Sequence, residues 1–189
     1  MEDIILVGFG GHGKSVADCI EREKLFRIAG YTDNKEQSCG YPYLGTDQEL
    51  FNYFEKGIKN AAVCVGYLGK GSIRKKIFEK LKGIGFTLPV IKDPSAVVSS
   101  SARIGEGTFI GKGAVVNAGA QVGRMVIINS MALVEHECVL GDFSHIAVAA
   151  VLCGEVSVGR AAFVGANATV IQGMKIKPHQ IVPAGAVVR

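Results

Sequence analysis

The chain has 189 residues, of which 48% are hydrophobic and 20% charged, and it carries a formal net charge of +4. That is ample apolar material for one or two packed domains and excludes a disordered chain. The basic residues are scattered, with no tract interleaved with aromatics, which argues against nucleic-acid recognition. No apolar run reaches the length of a membrane span. Of the 21 basic and 17 acidic residues, only seven and five lie beyond residue 97, a shift that divides the chain in two. The five cysteines are odd in number and lack CxxC spacing, and the N-terminus opens on a strand pattern without a leader. Together these point to a reduced, cytoplasmic protein.

The first part, residues 1–92, alternates strands with helices. Ile4 to Val7 is a continuous apolar run, as expected of a parallel strand buried on both faces. Gly8-Phe9-Gly10-Gly11-His12-Gly13 follows, then a helical pattern from Lys14 to about Leu25. Ile28 to Tyr31 reads as a second strand ending at Thr32-Asp33-Asn34-Lys35. Thr46 to Lys56 reads as a helix capped by Thr46 or Asp47, and Ala61 to Val65 as a third strand running into Gly66-Tyr67. Ser72 to Lys82 is a basic amphipathic helix with Ile73, Ile77, Phe78 and Leu81 on one face. Phe86 to Ile91 reads as a fourth strand before a linker at Lys92 to Ser95. This order predicts a small, Rossmann-like α/β domain with a doubly wound parallel sheet.

The spacing Gly8-x-Gly10-x-x-Gly13 follows a strand, opens a helix, and has Asp33 twenty residues downstream, so it matches the dinucleotide fingerprint in context. Its physics is broader than that name. Glycines admit a pyrophosphate to the backbone, and the helix N-terminus supplies amide donors and partial positive charge. Any nucleoside-diphosphate compound meets those terms, and no separate domain for hydride transfer follows, which disfavours NAD. Gly10, Gly11, His12, Gly13, Asp33, Asn34, Lys35 and Gly66 are therefore the candidate contacts for a nucleoside-diphosphate ligand. Lys75 and Lys76 read as a solvated helix face, and Arg74 stays open between that and a phosphate contact.

The second part, residues 93–189, has a different rhythm. Sixteen positions spaced by six, from Val98 to Val188, are all aliphatic, and glycine follows the marked residue at 105, 111, 123, 141, 159 and 165. A period of six fits neither an amphipathic helix nor an alternating strand. It fits a triangular parallel β-helix: each side is a short strand with one inward aliphatic, then a tight corner where glycine relaxes the backbone. Three hexads make an 18-residue coil.

The glycine-rich start, Asp33-Asn34-Lys35, the Ile73-Arg74-Lys75-Lys76 helix and the phrase from Val134 to Ile146 together resemble the bacterial sugar O-/N-acyltransferases of the hexapeptide-repeat class. That class winds left-handed. The resemblance spans essentially the whole chain, and the 134–146 phrase is its most specific part. It implies a homotrimer with acetyl-CoA bound between adjacent β-helices, a nucleotide-sugar acceptor held by the N-terminal domain, and no metal. It implies His136 as general base with Glu137 as its partner carboxylate. It also implies acetyl-CoA contacts at His145, Ala149 and Gly165, the 149 amide (glycine in relatives) serving as oxyanion donor. Relatives usually continue past the position of Arg189 with a segment that finishes the pantetheine and adenine site, so the sequence is either a shortened piece or one with an incomplete CoA site.

Residue chemistry supports part of this independently. Acyl transfer from a thioester needs a base for the attacking group and donors for the oxyanion, and histidine titrates in the right range. Adjacent strand residues face opposite ways, so Glu137 orients His136 only if the corner bends the chain. His145, nine residues on, belongs on a different side of the same prism, where an acetyl-CoA contact and a subunit contact are equally compatible. His179 reads as a surface residue. The acceptor expected is a nucleotide-linked amino sugar, such as a UDP-linked 4-amino sugar. O-acetylation of sialic acid or a related sugar, and a non-catalytic nucleotide-sugar-binding trimer, stand as alternatives. A zinc enzyme on the same scaffold would need several converging histidines, for which only His136 and His145 are available in the body of the solenoid, His179 lying near its end.

Overall fold

The structure, a computed structural model, describes residues 1–66 and 72–189. They form two compact units, Met1–Ile91 and Lys92–Arg189.

The first unit is built on a three-stranded parallel sheet, β1 (Glu2–Val7), β2 (Phe26–Thr32) and β3 (Asn60–Val63), in the order β2-β1-β3. Ile4, Ile5, Leu6 and Val7 are fully buried because β1 is central and covered on both faces. Helix α1 (Gly11–Glu23) buries Val16, Ala17, Cys19 and Ile20, and ends on Lys24 in the left-handed region. Helix α2 is shorter than the sequence predicts, Leu50–Glu55, because residues 46–49 form a turn instead.

Helix α3 (Ser72–Ile84) is rotated from its predicted orientation. Its inward face is Arg74, Phe78 and Leu81, at i, i+4 and i+7, whereas Ile73 is 47% exposed. The predicted fourth strand is not a member of this sheet. Thr87 makes an isolated bridge with Asn60, Pro89 has no N–H to extend it, and Ile91–Lys92 is instead the first rung of the solenoid.

The second unit is a parallel β-solenoid of three sheets, each five or six rungs deep. The first side stacks Val97–Val98, Val115–Val116, Leu133–Val134, Val151–Leu152, Thr169–Val170 and Val187–Val188. The second carries Val139–Leu140, and the third His145–Ile146. Every rung pairs with the one eighteen residues away, as Leu133 does with Val115 and Val151. The inward aliphatics from Ile110 to Val182 are at most 5% exposed, and each contributes about 1.5–3 kcal/mol by burial.

The corners differ from the sequence expectation. The glycine after the inward residue is not the one with the unusual backbone. It is there for clearance: a Cβ on Gly141 would lie 2.6 Å from the Arg160 nitrogen of the next coil. The left-handed residue comes two places later, at every sixth position from Gly107 to Gly185, and at nine of these fourteen it is not glycine. The strain at each non-glycine corner is offset by a ladder hydrogen bond from that residue's own N–H. Met131 donates to Lys112 O at 2.8 Å and Glu137 to Ala118 O at 3.0 Å.

Among the described residues, no helix is long and apolar enough to cross a membrane. No disulfide joins any of the five cysteines.

Candidate active site

Two sites emerge, one in each unit. In the first, the strand ends converge at the carboxyl edge of the sheet. Gly8 N–H donates to Thr32 O at 2.8 Å, and Phe9 N–H donates to Asp33 Oδ2 at 2.8 Å. Asp33 Oδ1 accepts the Asn34 N–H at 2.7 Å. The carboxylate therefore ties the loop after β1 to the loop after β2, and a carboxylate's roughly four lone-pair sites leave it capacity for a ligand hydroxyl. Phe9 anchors the loop from the other side, its ring 4.8 Å from Tyr31 and 5.5 Å from Tyr41.

Gly8 has φ +89 and no room for a side chain beside Val65. Gly10 and Gly11 are different. A Cβ at either would meet nothing within 4 Å, so the protein's own packing does not require glycine there. Gly13 needs its small size, since a Cβ would sit 3.0 Å from Gly8 O. Helix α1 starts without a side-chain cap, which leaves its first-turn N–H groups for an incoming anion.

His12 sits in that first turn against Gly66, whose Cβ position lies 3.5 Å from His12 Cβ. Burial, aided by the nearby Arg74 cation, pushes the His12 imidazole down to about 4, so it is neutral at pH 7. Arg74, open in the sequence reading, is only 4% exposed, and burial lowers its guanidinium to about 10. It stays cationic at pH 7. Lys75 pairs with Glu79 at 3.4 Å on the solvent side. Lys35 is exposed, and Tyr67 lies outside the described residues.

A cavity of about 200 Å³ spans all three strand ends, lined by Gly8 from the first, Asp33 and Asn34 from the second and Val65 from the third. Asp47, Ile73, Lys76 and Ile77 complete it. Lys76 is exposed, in keeping with the solvated face read from the sequence, and it also lines this cavity. A second hollow of about 300 Å³ lies between Phe9, Lys14, Asp18 and Tyr41.

In the solenoid, the corner between the first and second sides carries His136 and Glu137, both exposed. The His136 imidazole rests where a side chain on Gly154 would be: a Cβ there would lie 2.5 Å from Cε1 and from Nε2. Gly154 is eighteen residues on, one coil away, and its N–H donates no hydrogen bond among the described residues. Sequence reasoning missed this residue, although adding eighteen to 136 would have found it.

Glu137 turns the opposite way along the solenoid. Its carboxylate lies over Gly119, one coil back, and among the described residues no hydrogen bond joins it to His136. Glu135 is the neighbour that contacts His136, its Oε2 accepting the His136 backbone N–H at 3.2 Å.

The remaining predicted residues are spread out. His145 lies on the third side, 8% exposed, with its ring edge-on to Phe163 at 5.1 Å. Ala149 has φ 54, and its N–H donates to Ser130 O at 3.0 Å, so an oxyanion there would have to share a committed donor. Gly165 is explained by packing alone, since a Cβ would strike the backbone of Ala184. His179 is an exposed corner residue. Among the described residues no group of three histidine, cysteine or acidic side chains converges as a metal site.

Residues 3–81 match the PglD N-terminal domain. The chain is 35% identical over 113 residues to a UDP-N-acetylbacillosamine N-acetyltransferase of Bacillus subtilis. That alignment covers 58% of this chain and spans about half, 51%, of the relative's length. Among solved structures it superposes on PerB from Caulobacter crescentus, crystallised with CoA and GDP-perosamine, with a TM-score of 0.95 and 36% identity. The match covers 100% of this chain and 89% of that one. A variant of that protein with one histidine replaced by alanine has also been crystallised with both ligands. The acetyltransferase domain of PglB from Neisseria gonorrhoeae gives 0.93 and 34%, covering 100% and 92%. Full-length similarity at this level settles the lineage: the chain belongs to the family of hexapeptide-repeat sugar N-acetyltransferases that includes the perosamine and PglB enzymes.

Proposed function

We propose that this chain transfers the acetyl group of acetyl-CoA to the amino group of a nucleotide-linked amino sugar, with His136 as general base. The observation that carries the reading is the His136–Gly154 pair: an exposed imidazole seated over a residue whose N–H is left out of the coil-to-coil ladder. The acceptor nitrogen attacks the thioester carbonyl carbon while His136 takes its proton. The carbon–sulfur bond then breaks, and CoA leaves as a thiolate that recovers the proton from the imidazolium. Gly154 N–H is the donor assigned to the oxyanion, in preference to the committed amide of Ala149.

The nucleotide diphosphate is assigned to the α1 N-terminus. The open space over Gly10 and Gly11 and the cation of Arg74 beside His12 support this. Acetyl-CoA is assigned to a groove between solenoids of a homotrimer. In support, the first side and its leading corner leave Val97, Met131 and Val148 46–66% exposed. The reading places the enzyme in the cytoplasm.

The test is steady-state kinetics with acetyl-CoA and a panel of nucleotide-linked amino sugars. His136→Ala is expected to lower kcat by about 10²–10⁴-fold, with the melting temperature and the trimer mass by light scattering unchanged. Normal turnover in that variant removes His136 from the mechanism.

A further inference from the structure

The cavity over the strand ends has a chemical bias that its position does not explain. Its volume, about 200 Å³, is below the ~300–1,000 Å³ of pockets that enclose a drug-sized ligand. It therefore takes one moiety of a nucleotide sugar. Val65, Ile73 and Ile77 give it apolar walls, and the two isoleucines lie off the Arg74–Phe78–Leu81 face by which α3 packs. Walls of this kind suit the faces of a planar ring.

The rim groups are selective. Carboxylates accept hydrogen bonds and cannot donate them. Both Asp33 oxygens already accept backbone N–H groups. Asp47 is more available: its Oδ1 accepts the hydroxyl of fully buried Thr32 at 2.7 Å, and Oδ2 accepts nothing from the described residues. Lys80 Nζ donates to the Asp47 carbonyl, tying this loop to α3. The Asp47 carboxylate is thus fixed before any ligand arrives, and the ammonium of Lys76 shares the same cavity.

We infer that this cavity is the nucleobase subsite and that Asp47 and Lys76 select guanine. Guanine presents two adjacent donors, N1–H and the exocyclic amino group, next to the O6 acceptor. Asp47 matches the donor pair and Lys76 matches O6. Uracil and thymine place a single N–H between two carbonyls, so a carboxylate meeting that edge faces acceptors on both sides. Cytosine has one amino group beside two acceptors. The inference rests on the nucleotide-sugar reading above and adds which nucleotide that sugar carries.

The experiment is calorimetric titration of the full chain with GDP, IDP and UDP, repeated on Asp47→Asn and Lys76→Gln. Asparagine keeps the shape and an acceptor for Thr32 but replaces the second acceptor with a donor. GDP is expected to bind about 10- to 100-fold more tightly than UDP, with IDP, which lacks the exocyclic amino group, between them. Asp47→Asn removes the GDP advantage and leaves UDP unchanged. Lys76→Gln, at an exposed position, weakens GDP and IDP alike. Equal binding of GDP and UDP, tighter UDP, or a GDP preference that survives Asp47→Asn overturns the guanine assignment and leaves the nucleotide-sugar reading standing. Failure of all three nucleotides to bind overturns both.

Discussion

The imidazole of His136 fills the space that a Cβ on Gly154 would occupy, 2.5 Å from two of its ring atoms. Gly154 is outside the left-handed positions, so alanine suits its backbone and only the ring must move. A displacement near 1 Å at a reacting centre costs about 10²-fold. Gly154→Ala is expected to lower kcat by about that factor, with a smaller effect on the KM for either substrate. An unchanged kcat in steady-state assays would show that the seat does not position the base.

Glu137 gives a contrasting case. Its carboxylate lies over Gly119, away from His136. Glu137→Gln is therefore expected to change kcat less than tenfold and to leave the acid limb of the pH–rate profile in place. A shift of that limb would show that Glu137 swings to His136 when substrates bind.

Ala149 occupies a left-handed corner at φ 54. Ala149→Gly relieves about 1–2 kcal/mol of backbone strain and adds back about 0.5–1 kcal/mol of chain entropy. The melting temperature should rise by about 1–4 °C. Gly165→Ala runs the other way. Its Cβ would strike the backbone of the next coil, and the midpoint should drop by at least about 5 °C.

His12 makes stability depend on pH. Its folded value, about 4, lies below the ordinary 6.5, so between these values the unfolded chain binds more protons than the native one. Stability from this group is complete above pH 6.5 and is lost as pH falls toward 4. Melting curves over that window should fall less steeply for His12→Asn than for the parent chain. Parallel curves would mean that His12 titrates normally in the folded protein.

The solenoid was fully legible because its inward row is written without interruption from Val98 to Val188. Its corners were not. The left-handed positions carry methionine, glutamate, phenylalanine and alanine as well as glycine, since ladder bonds rather than composition hold them. In the first unit, the strand–Gly loop–helix start was legible, but the rotation of α3 was not. Pattern counting scores Ile73 as core and leaves Arg74 open, whereas tertiary context exposes the first and buries the second. The cavity residues come from five separate segments, so no local motif could announce them.

The two spacings of the solenoid impose different rules on change. Its hydrophobic core repeats every six residues, whereas a given corner regains the same neighbours only after eighteen. An insertion of six residues after Gly141 would keep every aliphatic pointing inward, so the fold would tolerate it. It would also turn all later residues by one side of the prism, carrying Gly154 out from under His136. Only a whole added coil restores the side, and even then Gly154 arrives one storey too far. Folding can therefore forgive a length change that chemistry cannot, and natural variants of this chain should place their insertions outside the storeys that hold His136 and Gly154.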